Sequence, residues 1–186
     1  MSTQLREGNQ IFEFDDNWQV NVYDCVESGY RDINKCVGAK SCDFIGVLGA
    51  DTLALMEVKD FRGYQKKNDD RLDGPLAREM AEKVAHTLAG IASGARRKCN
   101  YLPWRKMGEL LNAPSKQVLV ILFLEDDLGS QNIAEWKAML SVQRKLMRKN
   151  LFWLQVEIAV ISESISTTQI PGVVVSSLPG AACHTP

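Results

Sequence analysis

Cys42-Asp43-Phe44-Ile45-Gly46-Val47-Leu48, then Gly49-Ala50-Asp51, then Thr52-Leu53-Ala54-Leu55-Met56-Glu57-Val58-Lys59: two short apolar runs flank a three-residue break. Apolar runs of this length bounded by turn residues read as strands, and the break reads as a hairpin turn. Pairing Leu48 with Thr52 fixes the register. Val47 then meets Leu53, Ile45 meets Leu55, and Asp43 lies across from Glu57 on the same face, with Lys59 two residues further along it. Everything else on the two strands is apolar on both faces, the pattern of a central pair covered from both sides. The charges therefore gather at one end of a buried sheet.

Two carboxylates at a cross-strand distance, roughly 5 Å between Cβ atoms, repel unless a proton or a cation lies between them. Magnesium suits such a pair, since it is a hard cation that takes oxygen from one or two carboxylates, keeps several waters and leaves room for a phosphate oxygen. Lys59 then faces water and phosphate, where an ammonium lowers the pKa of an attacking water or stabilises developing negative charge. The competing reading is an ordinary hairpin with solvated charges and a cross-strand Glu57–Lys59 contact.

The Asp43 … Glu57-Val58-Lys59 spacing resembles the PD-(D/E)XK, or restriction-endonuclease-like, nuclease superfamily. Asp43 matches the first acidic position, with Cys42 where the motif has proline, and Glu57 and Lys59 match the second half. A fuller pattern is similar to a group of small bacterial proteins with this core: Trp18, Tyr23-Asp24, Tyr30-Arg31, Asp43-Phe44, Glu57-Val58-Lys59-Asp60, Glu79, Lys83 and Leu88-Ala89-Gly90. It spans residues 18 to about 124. The resemblance implies an α/β domain with a central mixed β-sheet flanked by helices. It also implies Mg2+- or Mn2+-dependent hydrolysis of DNA phosphodiester bonds, with Asp43 and Glu57 as metal ligands and Lys59 as the catalytic amine. A role in DNA repair or defence against foreign DNA belongs to the same implication. The alternative is a non-catalytic nucleic-acid-binding or protein-interaction domain that retains the core.

Composition sets the frame. The chain has 186 residues, 45% of them hydrophobic, which suffices for one domain with its own core, residues 11 to 161, ahead of a tail over 162–186. Met1-Ser2-Thr3-Gln4-Leu5-Arg6-Glu7 lacks the apolar segment of a signal peptide, and no apolar stretch approaches a membrane span, so a soluble, cytoplasmic protein is expected. Cys25, Cys36, Cys42, Cys99 and Cys183 form no Cys-x-x-Cys pair, which argues for reduced, mostly buried thiols. Net charge is −1, yet residues 1 to 58 carry four basic and ten acidic side chains while residues 96 to 149 carry eleven basic and five acidic. A cationic second half suits a phosphate-bearing partner such as DNA; the plainer reading is a solvated face. Cutting both strands of a duplex with so small a domain implies two copies, hence a homodimer.

Along the chain, Ile11-Phe12-Glu13-Phe14 reads as a short strand. Trp18, Val22, Tyr30, Ile33 and Val37 recur at helical steps after Asp15-Asp16-Asn17, predicting a first helix, in which Glu27 and Asp24 are further acidic candidates. The superfamily order asks for a strand just there, however, and Trp18 to Tyr23 also alternates as an extended segment does. Both readings stay open. Asp60 to Arg71 reads as a polar loop leaving the site, with Arg62, Lys66 and Lys67 available to a nucleic-acid backbone and Phe61 and Tyr64 available to stack. A long helix from Gly74-Pro75 carries Leu72, Leu76, Met80, Val84, Leu88 and Ile91 on one face. Glu79, Lys83 and His86 share another stripe, with Lys83 a candidate phosphate contact, Glu79 its salt-bridge partner or a further metal ligand, and His86 structural.

Arg96, Arg97 and Lys98 open a basic and aromatic stretch suited to nucleic acid. Gln117 to Leu124 reads as a central strand, Ile133 to Met147 as a helix with basic residues at its C-terminal end, Phe152 to Ile161 as a last strand, and the Ser/Thr/Pro/Gly-rich end as a tail that frays or drapes over the core. Other chemistries are disfavoured. Gly46-Val47-Leu48-Gly49 lacks the third glycine of a dinucleotide loop, no phosphate-binding Gly-x-x-x-x-Gly-Lys-Ser/Thr run occurs, and Ser93 lies in a helical pattern rather than at a strand-to-helix elbow.

Overall fold

The hairpin decides the architecture. A computed structural model describes residues 2–25, 38–63, 70–97, 103–165 and 170–178. Phe44–Leu48 (β4) and Thr52–Asp60 (β5) pair antiparallel with Leu48 opposite Thr52, Ile45 opposite Leu55 and Phe44 opposite Met56. Gly49 turns the chain with a φ of +60°, a left-handed conformation that costs glycine nothing and other L-residues about 1 kcal/mol or more. Both strands are buried on both faces, as two-sided apolar runs require.

Trp18–Val22 is a strand, β3, paired antiparallel with β4. This corrects the first helix over these residues and supplies the strand the sheet was short of. Trp18 and Val20 point into the core, which alternation permits and a helix would not. Gly46 lets β3 approach β4: a Cβ there would lie 2.9 Å from the Gln19 carbonyl oxygen. Residues 26 to 37, including Glu27, lie outside the described residues.

Pro75–Arg97 (α1) and Trp104–Asn112 (α2) cross over to Gln117–Glu125 (β6), parallel to β5. Leu128–Gln131 (α3) and Ile133–Asn150 (α4) then cross to Glu157–Ile161 (β7), parallel to β6. The result is a five-stranded mixed sheet in the order β3-β4-β5-β6-β7. The last strand begins at Glu157 rather than Phe152; Leu151 is buried in a turn, and Phe152 and Trp153 are exposed.

Helices cover one face of this sheet. Leu76, Met80, Val84, Ile91, Trp104, Met107, Trp136 and Met147 pack there on Ile45, Leu53, Leu55, Val120 and Leu122. A second sheet covers the other face, built from Thr3–Glu7 (β1), Gln10–Phe14 (β2) and Val173–Ser177 (β8) in the order β1-β2-β8. Phe12 and Phe14 from β2 meet Phe44, Phe123 and Trp18 edge-on, with ring centroids 5.2 to 6.5 Å apart. Of the two readings of the C-terminal end, frayed or draped over the core, β8 rules out fraying for its own residues: the Val173-Val174-Val175 run adds a strand to β2. The fold is thus mixed α/β in three layers, helices, five-stranded sheet, three-stranded sheet. No helix among the described residues is long and apolar enough to cross a membrane.

Candidate functional site at the end of the hairpin

Asp43 precedes β4 and continues its register: its carbonyl accepts from the Tyr23 amide (2.8 Å), and its side-chain Oδ2 accepts from the Val58 amide (2.7 Å). The segment that carries it is clamped to α1. The Lys40 amide donates to His86 Nδ1 and the Cys42 amide to Thr87 Oγ1, each at 3.0 Å, while Thr87 in turn donates to the Lys83 carbonyl. His86 is therefore structural, and Cys42 is a buried free thiol whose pKa burial pushes up.

Glu57 is fully buried on the helix-facing side of β5. Its Oε1 accepts from Lys59 Nζ (2.6 Å) and from Lys83 Nζ (2.5 Å), and its Oε2 is buried with no hydrogen-bond partner among the described residues. Lys59 also lies 3.4 Å from Glu79 Oε1, and Glu79 Oε2 takes Arg71 at 2.6 Å. The arrangement is a chain of alternating charge from the sheet to α1. Lys83 reaches Glu57 rather than its helical neighbour Glu79, because α1 crosses this face of the sheet at the level of the hairpin's end. Burial opposes the Lys83 charge, but Glu57 raises its pKa above the ordinary value.

Asp43 shows what the cluster lacks. Burial and the Glu57 charge push its pKa up to about 7, against the Val58 amide and Lys83, which lower it. Glu7, at the end of β1, adds to the same strain: burial, then Asp24 and Glu57, raise its pKa too. Reading the sequence did not find Glu7, since a five-residue strand with Leu5 as its one apolar side chain carries little strand signal.

The remaining candidates fall into three groups. Arg62 is held by Asp60 through two hydrogen bonds of 2.8 and 2.6 Å and donates to Ser177 Oγ at 3.1 Å, tying the end of β5 to β8. Phe61 is buried under the Arg71 guanidinium, 5.0 Å from its ring centroid, so it packs the core instead of stacking on a base. Arg96 and Arg97 are exposed in the last turn of α1. Lys66, Lys67 and Lys98 lie outside the described residues, as does Tyr64.

Among the described residues no group of three or more His, Cys, Asp or Glu side chains gathers as a metal cage. The donor set nonetheless fits a cation that keeps most of its waters: two neighbouring carboxylates, one raised toward neutrality by burial and by the other, and a buried Glu57 oxygen without a donor among the described residues. Comparison with protein-family models, with curated proteins and with solved structures returned no match.

Proposed function

We propose that the protein is a metal-dependent nuclease that hydrolyses DNA phosphodiester bonds on a restriction-endonuclease-like core. The observation that carries this reading is the convergence of Asp43, Glu57 and Lys59 at one end of the β4–β5 hairpin, with Lys83 brought in from α1. Support also comes from the sheet order, in which an antiparallel β3-β4-β5 unit passes through a helical crossover to a parallel strand, and from the resemblance of the hairpin residues to the PD-(D/E)XK superfamily.

Asp43 and Glu57 are the residues to hold Mg2+ or Mn2+, which when bound supplies Lewis acidity toward a phosphate oxygen and acidifies its own water. Lys59 is placed to orient the attacking water and to offset negative charge as the water oxygen adds to phosphorus and the bond to the leaving sugar oxygen breaks. Lys83, held on Glu57, would be available to a phosphate were a cation to occupy that carboxylate. Glu79, braced by Arg71, keeps Lys59 from swinging outward.

Plasmid and single-stranded DNA incubated with Mg2+, Mn2+ or EDTA test the reading, with Asp43→Asn and Lys59→Ala alongside. Metal-dependent cleavage that Asp43→Asn abolishes and Lys59→Ala lowers about 100-fold or more is the expected result. Cleavage that persists in both variants overturns it. One observation favours a second reading, a non-catalytic binding module: Glu57 Oε1 already satisfies two ammonium groups without any metal. DNA binding with no cleavage under any metal identifies that case.

A further inference from the structure

The outer side of β7 holds a second site. A cleft of about 230 Å³ runs between this edge strand and α4, lined by Lys137, Ser141 and Arg144 from the helix and by Val160, Ile161 and Ser162 from the strand end. Among the described residues β7 pairs with β6 alone, so its other edge carries no strand. Arg144 is the telling residue. It is half-buried, and its Nε is buried with no hydrogen-bond partner among the described residues. A buried guanidinium N–H left without a partner is unfavourable, and a guanidinium presents a planar fork that matches a phosphate or carboxylate. Lys137, two helical turns away along α4, adds a second positive charge, and the exposed Ser141 between them adds a hydroxyl. Ser162 is already engaged, donating to Glu125 Oε1 and accepting from Trp136 Nε1, so it shapes the floor and does not bind.

We infer that the Arg144–Lys137 cleft binds a phosphate group, and that in the DNA complex this is a backbone phosphate away from the scissile one. The second half of that statement rests on the nuclease reading. Geometry supports it, because β5, β6 and β7 are parallel and Val58, Phe123 and Ile161 lie level, which puts the cleft at the same end of the sheet as Lys59. Two strand spacings separate β5 from β7, roughly 10 Å. That is about three nucleotides of one strand. A strand bound at both points is fixed in direction across the hairpin's end.

Two ligands distinguish the sources of phosphate. Inorganic phosphate, titrated into the metal-free protein and followed by amide NMR shifts, reads the cleft alone. A fluorescein-labelled single-stranded oligonucleotide, followed by anisotropy in EDTA, reads it within a nucleic-acid complex. Arg144→Gln and Lys137→Ala are the variants, the second fully exposed and free of any folding burden; Lys149→Ala, an exposed cation near the end of the same helix, is the control. Phosphate is expected to shift resonances of Ser141, Arg144 and Ile161, and both variants to lose that response. The oligonucleotide is expected to bind about tenfold more weakly to each, with the slope of log affinity against log salt reduced by about one, and Lys149→Ala to match the parent. Equal weakening by all three substitutions, or no phosphate response in the parent, overturns the cleft as a site. A phosphate response with unchanged oligonucleotide affinity overturns its assignment to nucleic acid. If the parent binds no oligonucleotide at all, the nuclease reading fails while the phosphate titration still decides the cleft.

Discussion

At the scale of single residues, the buried acids make their own pH dependence. With no divalent ion present, Asp43 titrates at about 7 in the folded protein, and near ~3.9 in the unfolded chain. Between those values the folded state keeps a proton that the unfolded state has lost, so stability falls as pH rises from about 4 to about 7 and stays low above that. Asp43→Asn removes the charge while leaving an oxygen for the Val58 amide. In EDTA the variant is expected to match the parent at pH 4 and to exceed it at pH 8 by on the order of 2–4 kcal/mol; urea unfolding across that range measures it, and a variant no more stable at pH 8 refutes it. Lys83→Met removes one of two ammonium groups from Glu57. Since Lys59 remains, the cost is expected to be about 1–3 kcal/mol, less than for a buried charge left wholly alone. Calorimetry with and without Mg2+ should then show a larger thermal gain from the ion in Lys83→Met than in the parent, because a cation replaces the missing ammonium. Lys59→Ala is expected to lower cleavage about 10²- to 10³-fold, in proportion to the loss of a charge-stabilising donor.

At the scale of elements, packing leaves little slack where α1 meets α2. A Cβ at Gly94 would lie 2.4 Å from the Trp104 ring, so Gly94→Ala has to part the two helices; a loss of about 1–3 kcal/mol in denaturant unfolding is expected. How much of this was legible beforehand depended on periodicity. The β4–β5 register followed from a side-chain period of 2 and a turn of fixed length, and it carried Asp43, Glu57 and Lys59 with it. The long helix α1 was equally clear, from Leu76, Met80, Val84, Leu88 and Ile91. Trp18 and Val22 stand four apart, which suits a helix and a strand alike, and Val20 between them is the residue that belongs to the strand alone. Lys83 was found as a candidate but not its partner, since Glu57 lies 26 residues away and the two meet through a tertiary crossing that no local pattern encodes. Arg144 read as a helix-end cation for the same reason: its cleft exists only once β7 lies beside α4.

At the scale of the whole molecule, β8 closes the structure. It covers β2, the strand that carries Phe12 and Phe14 into the core, and Ser177 on it accepts from Gln10 and Arg62 and donates to Glu163. Removing residues 170–186 therefore exposes one edge of β2, takes Ile170 out of the core and frees Arg62 from one of its partners. Such a truncation is expected to fold poorly and to aggregate, read as loss of the monomer peak in sedimentation velocity and as dye binding to exposed apolar surface. The pairing of β2 with a segment 167 positions later has one more consequence. During synthesis on the ribosome, the strand bearing Phe12 and Phe14 emerges well before β8 and keeps one edge bare until that segment follows.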